Sequence, residues 1–298
     1  MLLTPLLLAA SLSGAELVSA HARDPYVVEI EKWRAQRVER LTAPTGWLSL
    51  VGLDWLKPGI STIGSADDND IVIASAPEHL GQIEWKDDVV SVTLKPDSAA
   101  TIDGKAATSA ILLDDSHEKP TTVAFGTTRF YLIDRAGGKK GLRIKDSEAE
   151  TRTHFVGIDY YPIDPGWRIE ARWIAFDPPQ TMEIPNVLGT IDRNTVLGKA
   201  VFERDGETFE LLPVLETDDA TELFYIISDK TSGKETYGAG RFFYSDMPKD
   251  GKVVLDFNKA YNPPCAFTPF STCPLPPPEN RLKFAVTAGE KKYRGAGH

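Results

Sequence analysis

The chain has 298 residues, 42% hydrophobic and 26% charged, a globular balance with length for one large or two ordinary domains. A net charge of -10 argues against the concentrated basic face that neutralises nucleic-acid phosphates, so no nucleic-acid partner is expected. Beyond residue 22 no run approaches the ~20 apolar residues that a helix needs to cross a bilayer, and no transmembrane segment is expected.

Residues 1–22 stand apart. Met1 to Ala20 carries no Lys or Arg, its apolar stretch is short, and Ala20-His21-Ala22 has the small-x-small form of a signal-peptidase site. The segment reads as a cleaved signal peptide, giving a periplasmic or secreted chain that begins at Arg23; an apolar N-terminus without that role is the alternative. Asp24-Pro25 then supplies a helix N-cap and first-turn proline, and Tyr26, Ile30, Trp33, Arg37 and Leu41 recur at helical spacing, so residues 23–45 hold one amphipathic helix.

From 46 to 150 the pattern changes to short β-type runs separated by Gly, Asp, Asn and Pro, the pattern of a β-sandwich. Lys139, Lys140, Arg143 and Lys145 gather there, but Asp146, Glu148 and Glu150 follow at once, so the cluster reads as a solvated hairpin rim. From 151 to 298 the chain is β-rich again, with a hairpin expected at Asp205-Gly206 and strands at ELFYIIS, RFFYS, KVVLDF and LKFAVTA. The fold class is therefore mainly β, two packed β modules with one N-terminal helix.

Ile63-Gly64-Ser65, Asn69 to Ile73, His79 and Asp103-Gly104 resemble the layout of a forkhead-associated domain over roughly residues 58–146. That family binds phosphothreonine peptides through an arginine fork, and here Ser65 occupies the arginine's place while Asp103 adds negative charge. Phosphopeptide binding is not expected, and His79 reads as a framework histidine donating to a backbone carbonyl.

Asp256 to Leu282 is the densest run, with seven prolines and both cysteines of the chain. Proline fixes φ and lacks an N–H, so the run is a built loop, and loops this long in compact domains are usually functional or disordered. AYNPPCAFTPFSTCPLPPPENRL, with GWLSLVGLDWLKPG at 46–59, resembles a bacterial family known as domain of unknown function 1684. The resemblance spans nearly all of the chain after residue 22 and implies no established reaction.

The residues themselves offer candidates. Gly238 and Gly240 allow close backbone approach beside Arg241, whose guanidinium is either a fork for an anion or an internal brace to Asp256 or Glu290. Asp256, Asn258, Tyr261 and Asn262 mix acceptors, donors and an aromatic face, as ligand sites do, or else cap the loop's own turns. Arg281 is a second candidate cation, with turn bracing as its alternative. Cys265 and Cys273, eight positions apart in a chain that reads as exported, suggest a disulfide. A Cys265–His154 thiolate pair and a zinc site of Cys265, Cys273 and His154 rank behind it, so no metal is expected. No cofactor motif is present, because Gly238-Ala239-Gly240 precedes no predicted helix. The leading expectation is a site for a small polar or anionic molecule. A hydrolase using Asp256 and Glu290 with Arg241, and a protein-docking scaffold on the proline loop, are the rivals, and the oligomeric state is left open.

Overall fold

The structure is a computed structural model that describes residues 23–295, so the signal-peptide reading of residues 1–22 lies outside the described residues. Helix α1 (Pro25–Thr42) starts where the sequence places it: the Asp24 carboxylate accepts the Tyr26 amide at 2.9 Å and Pro25 occupies the first turn. Its C-cap, Ala43, precedes Pro44 and has left helical geometry, as a residue before proline tends to.

Ten strands follow: β1 (Leu50–Trp55), β2 (Gly59–Gly64), β3 (Ile71–Val72), β4 (Gly81–Lys86), β5 (Val89–Leu94), β6 (Thr101–Ile102), β7 (Ser109–Ile111), β8 (Thr122–Phe125), β9 (Thr128–Arg135) and β10 (Lys139–Asp146). They form two five-stranded sheets, ordered β1-β10-β9-β8-β6 and β3-β2-β4-β5-β7. Both contribute to one buried cluster that includes Ile63, Leu80, Ile83, Val92, Val123, Phe130 and Leu142, so the two sheets share one core. The single-turn helix α2 (Glu150–Thr153) leads out.

The second β region contains β11 (Arg168–Pro185), β12 (Ile191–Arg204), β13 (Glu207–Leu211), β14 (Glu222–Ile227), β15 (Arg241–Asp246) and β16 (Lys252–Asp256). One sheet runs β13-β12-β11-β16, and β14 pairs with β15. The β12–β13 hairpin turns at Asp205-Gly206, with positive φ at both residues and Arg204 opposite Glu207, the two-residue turn that matches strand twist. A separate aromatic-rich core is built from Trp167, Phe202, Tyr225, Phe243, Phe257 and their neighbours, with Tyr225 and Phe243 stacked 4.6 Å apart.

LKFAVTA departs from its expected strand. No strand forms over Leu282–Ala288, although Leu282, Val286 and Ala288 are buried. Two backbone bonds to Ser228 and Lys230 hold its start, and side chains satisfy the rest: Asp229 Oδ1 accepts the Val286 amide at 3.1 Å, and the Arg241 guanidinium donates to the carbonyls of Val286, Ala288 and Glu290 at 2.9, 2.5 and 3.2 Å. Arg241 also pairs with Asp229 Oδ2 at 2.9 Å, both side chains being 1% exposed. One guanidinium thus satisfies three carbonyls of an irregular segment, as buried polar groups require.

A prediction follows from the burial of this pair. Arg241→Met leaves the Asp229 carboxylate buried without its cation and should lower unfolding free energy by about 3–5 kcal/mol, read by urea denaturation. A loss below 1 kcal/mol would remove Arg241 as the brace of the C-terminal segment.

Candidate functional site

A cleft of about 870 Å³ opens between α1, the outer face of the first sandwich and the second β region. Strand alternation builds its floor. Leu223, Tyr225, Phe243, Val253 and Leu255 enter the aromatic core, so their neighbours Glu222, Phe224, Phe242, Tyr244, Val254 and Asp256 face the other way and line the cleft. The same period puts Arg241, in phase with Phe243, on the core side. A one-residue step therefore removes Arg241 from the cleft and decides its role as a brace. Gly240 at φ +96° is likewise met by its own chain, since a Cβ there would lie 2.4 Å from Ile227 O and 2.5 Å from Pro276 Cγ.

One wall is a stripe of α1, with Glu29, Trp33, Arg37 and Arg40 at steps of three or four residues. The proline loop faces it with Tyr261, Pro264, Ser271, Thr272, Cys273 and Pro274. Arg37 ties these walls together: its Nε donates to Glu290 Oε1 at 3.1 Å, its Nη2 to Asn262 O at 2.8 Å, and its guanidinium lies 4.6 Å from the Tyr261 ring centroid. Glu290 Oε2 also accepts the Asn262 amide at 2.7 Å, and Asn262 Nδ2 donates to Lys291 O. Glu290 and the Asn262 backbone and amide nitrogen thus serve internal anchoring, while Asn262 Oδ1 is buried without a hydrogen-bond partner.

The end wall is the outer face of β9 and β10. Phe130, Leu132, Leu142 and Ile144 enter the sandwich core, so Arg129, Tyr131, Arg143 and Lys145 project outward. The expected solvated rim is corrected here. Only Lys139 of the four is exposed; Lys140 is buried against Asp134, Arg143 is buried, and Lys145 is half-buried. The reason is tertiary: Thr45, Trp47 and Thr268 reach this face from distant parts of the chain, with Thr268 Oγ1 donating to Leu50 O at 3.2 Å, Lys145 to Thr45 O at 2.6 Å, and Trp47 near both cations.

Arg143 is poorly compensated. Its side chain is 5% exposed and its Nε has no hydrogen-bond partner. Its Nη1 is 3.5 Å from Tyr131 Oη and 3.8 Å from Asp115 Oδ2, while Asp115 already takes two bonds from Arg135 at 2.9 and 2.6 Å. Burial, then the charges of Arg143 and Arg129, lower the Lys145 ammonium to about 8.

At the opposite end, near the start of α1, Asp256 accepts from Tyr26 Oη at 2.8 Å and from the Asn258 amide at 3.1 Å, both at Oδ1. Its Oδ2 accepts no hydrogen bond and is 3.9 Å from Lys259 Nζ, which is bonded to Glu29 at 2.6 Å. Burial raises the Asp256 carboxyl above its ordinary range against the lowering pull of these partners. Asn258 is fully buried and donates to Tyr26 Oη and Asp164 O, tying the segment before β11 to α1.

Of the sequence candidates, Asp256 and Tyr261 reach the cleft. Arg241, Asn258, Asn262 and Glu290 brace its walls, and Arg281 is exposed with its guanidinium 3.4 Å from Pro276 O. Because Glu290 is fully buried on Arg37 and Arg241 lies on the other face of its strand, the expected hydrolytic set of Asp256, Glu290 and Arg241 does not converge on open space. Arg37 was visible in the sequence only as a helix-face residue, and Arg143 only as part of a charged hairpin. Neither carries a local signal of a site.

The two cysteines are buried neighbours. The Cys265 amide donates to Cys273 Sγ at 3.2 Å, and Ser271 Oγ lies 3.0 Å from Cys265 Sγ and 3.6 Å from Cys273 Sγ. Burial raises the Cys273 thiol well above its ordinary value. In the first sandwich, the Ser65 amide donates to Pro77 O and the Asp103 carboxylate accepts the Thr122 amide. His79 Nδ1 faces Asp68 Oδ1 at 3.7 Å, not the expected backbone carbonyl. Among the described residues no His, Cys, Asp and Glu group is arranged to hold a metal ion, and no helix is long and apolar enough to cross a membrane.

The second β region and the proline loop define the class to which the protein is assigned: residues 153–291 match the family described as protein of unknown function (DUF1684). The chain belongs to that family. It is also 34% identical to an uncharacterized protein of Haloarcula marismortui solved in solution by NMR, over 47% of this chain and 78% of that one, with a TM-score of 0.40. No curated protein matches. The family match includes Asp256, Tyr261 and the cysteines; GWLSLVGLDWLKPG, α1 and the sandwich, which carry Arg37 and Arg143, lie outside it.

The Lys145 environment sets a pH test. An ammonium depressed to about 8 when folded, against about 10.4 unfolded, means that the unfolded chain binds more protons between those values, so this group makes stability rise with pH across that window. Relative to Lys145→Met, the wild type should gain unfolding free energy between pH 8 and 10. A gap between the two proteins that stays constant over that range would refute the burial of this charge.

Proposed function

We propose that this protein binds a small anionic molecule in the cleft, held by Arg143 with Arg135, which shares Asp115 with it, nearby. The observation that carries the reading is the Arg143 guanidinium, whose side chain is 5% exposed, whose Nε is unbonded and whose nearest carboxylate is already committed to Arg135. Taking a charge out of water costs several kcal/mol unless it is paired and hydrogen-bonded, and a carboxylate, sulfate or phosphate group in the cleft would provide that pairing. The concave shape favours a ligand over the flat docking face that a scaffold would present.

A thermal-shift series with phosphate, sulfate and acetate tests it. The wild type should gain melting temperature with at least one of them, since a ligand held at a hundred times its Kd adds about 2.7 kcal/mol. Arg143→Met should abolish the shift while keeping the ligand-free protein folded, because methionine fills the space without a buried charge. A variant that retains the full shift, or a wild type that responds to no anion, defeats the reading.

Export is part of the same proposal, supported by Ala20-His21-Ala22 after an apolar run. With it goes a disulfide between Cys265 and Cys273, supported by the contact of the Cys265 amide with Cys273 Sγ. The cross-link would contribute about 2.6 kcal/mol in the chain-entropy model. Non-reducing mass spectrometry of protein from the exported fraction should give a chain that starts at Arg23 and takes up no alkylating reagent. A start at Met1 removes the signal, and two alkylated thiols remove the disulfide.

A further inference from the structure

The anionic end is only half of the cleft's chemistry. At the other end Asp256 is 5% exposed, lines the cleft, and leaves Oδ2 without a hydrogen bond, while the nearby Lys259 ammonium is committed to Glu29. A buried carboxylate with spare acceptor capacity is best matched by a charged donor. The two incompletely compensated charges are thus of opposite sign and lie toward opposite ends of α1: Asp256 is bonded to Tyr26 in the first turn, with Lys259 3.9 Å from its free oxygen, and Arg143 lies 3.8 Å from Asp115 and 5.1 Å from the Trp47 ring just past the last turn. Between them the walls carry an aromatic group, with Trp33 and Tyr244 at centroid distances of 6.5 and 6.3 Å from Tyr261, alongside charged residues that include Arg37, Glu216, Glu222 and Asp246.

We propose that the ligand of this cleft is a linear zwitterion of the class of a short peptide with free ends, its carboxylate at Arg143 and its ammonium at Asp256. The inference rests on the anion reading above. The length follows from the helix that forms the wall. The stripe from Glu29 to Arg40 spans roughly 16 Å at 1.5 Å per residue, which an extended chain of about five residues covers at 3.3 Å each. Trp33, Tyr244 and Tyr261 offer apolar surface to the middle of such a chain. Burial of Asp256, which raises its carboxyl, is relieved when an ammonium arrives.

The test uses pentaalanine with free ends, its N-acetyl form and its C-terminal amide, titrated calorimetrically into the wild type, Asp256→Asn and Arg143→Met. On the wild type, N-acetylation and amidation should each weaken binding by roughly ten- to a hundredfold, the loss expected for one hydrogen-bonded charge pair. Asp256→Asn retains the Oδ1 acceptor for Tyr26; it should weaken the free peptide by a similar factor and leave the N-acetyl peptide unchanged, the coupling that marks direct contact. The comparison of free and blocked peptides on the wild type needs no variant to fold. If phosphate or acetate binds at Arg143 while free and N-acetyl peptides bind equally, the zwitterion proposal is wrong and the anion reading stands. If neither inorganic anions nor peptides bind, both are wrong.

Discussion

The cleft depends on one buried ion pair. Arg37 and Glu290 meet at 3.1 Å with side chains 9% and 0% exposed, and around them Asn262 supplies a carbonyl to Arg37 and an amide to Glu290. Such a pair adds little net stability, because desolvation offsets most of the attraction, but removing one partner strands the other charge in the interior. What the pair fixes is geometry. It anchors the middle of α1 to both the proline loop and the C-terminal segment, and so sets the separation of the two walls. Tyr261, beneath the Arg37 guanidinium, takes its orientation from the same contact.

A second guanidinium does comparable work on the hidden side of the sheet. Arg241 replaces a missing strand by satisfying the carbonyls of Val286, Ala288 and Glu290 directly, and thereby places Glu290 where Arg37 can reach it. Two arginines of opposite strand or helix phase therefore act in series: Arg241 holds the C-terminal segment, and that segment holds Arg37. The floor of the cleft then needs no special sequence, only a two-residue period that sends Phe243 to one face and Phe242 and Tyr244 to the other.

The charges at the two ends have different local histories. Asp256 ends a strand at the entry to the proline loop and lies inside the family match, whereas Arg143 sits on a sandwich strand outside it. The cleft is thus assembled from both β regions and the helix between solvent and sheet. The proposed ligand site is therefore not a property of the proline loop alone, although the loop supplies Tyr261 and Cys273 to the cleft.

The sequence by itself determined the elements that local chemistry controls. Asp24-Pro25 set the start of α1, alternation of apolar residues set most strands, and the Asp205-Gly206 turn set a hairpin register, because caps, pleat period and turn dihedrals act over a few residues. The proline run was legible as a built loop for the same reason. Only the tertiary structure decided which charged groups are buried. Arg241 and Asp256 lie on the strand segments that lead toward and into the loop, yet strand phase sends one to the core and the other to the cleft. Arg143 and Lys145 have the composition of a solvated hairpin, yet Trp47 packs beside both and Lys145 bonds Thr45 O. Burial of a charge is fixed by what packs on it from distant parts of the chain, and no local pattern around Arg143 encodes the Trp47 ring that lies beside it.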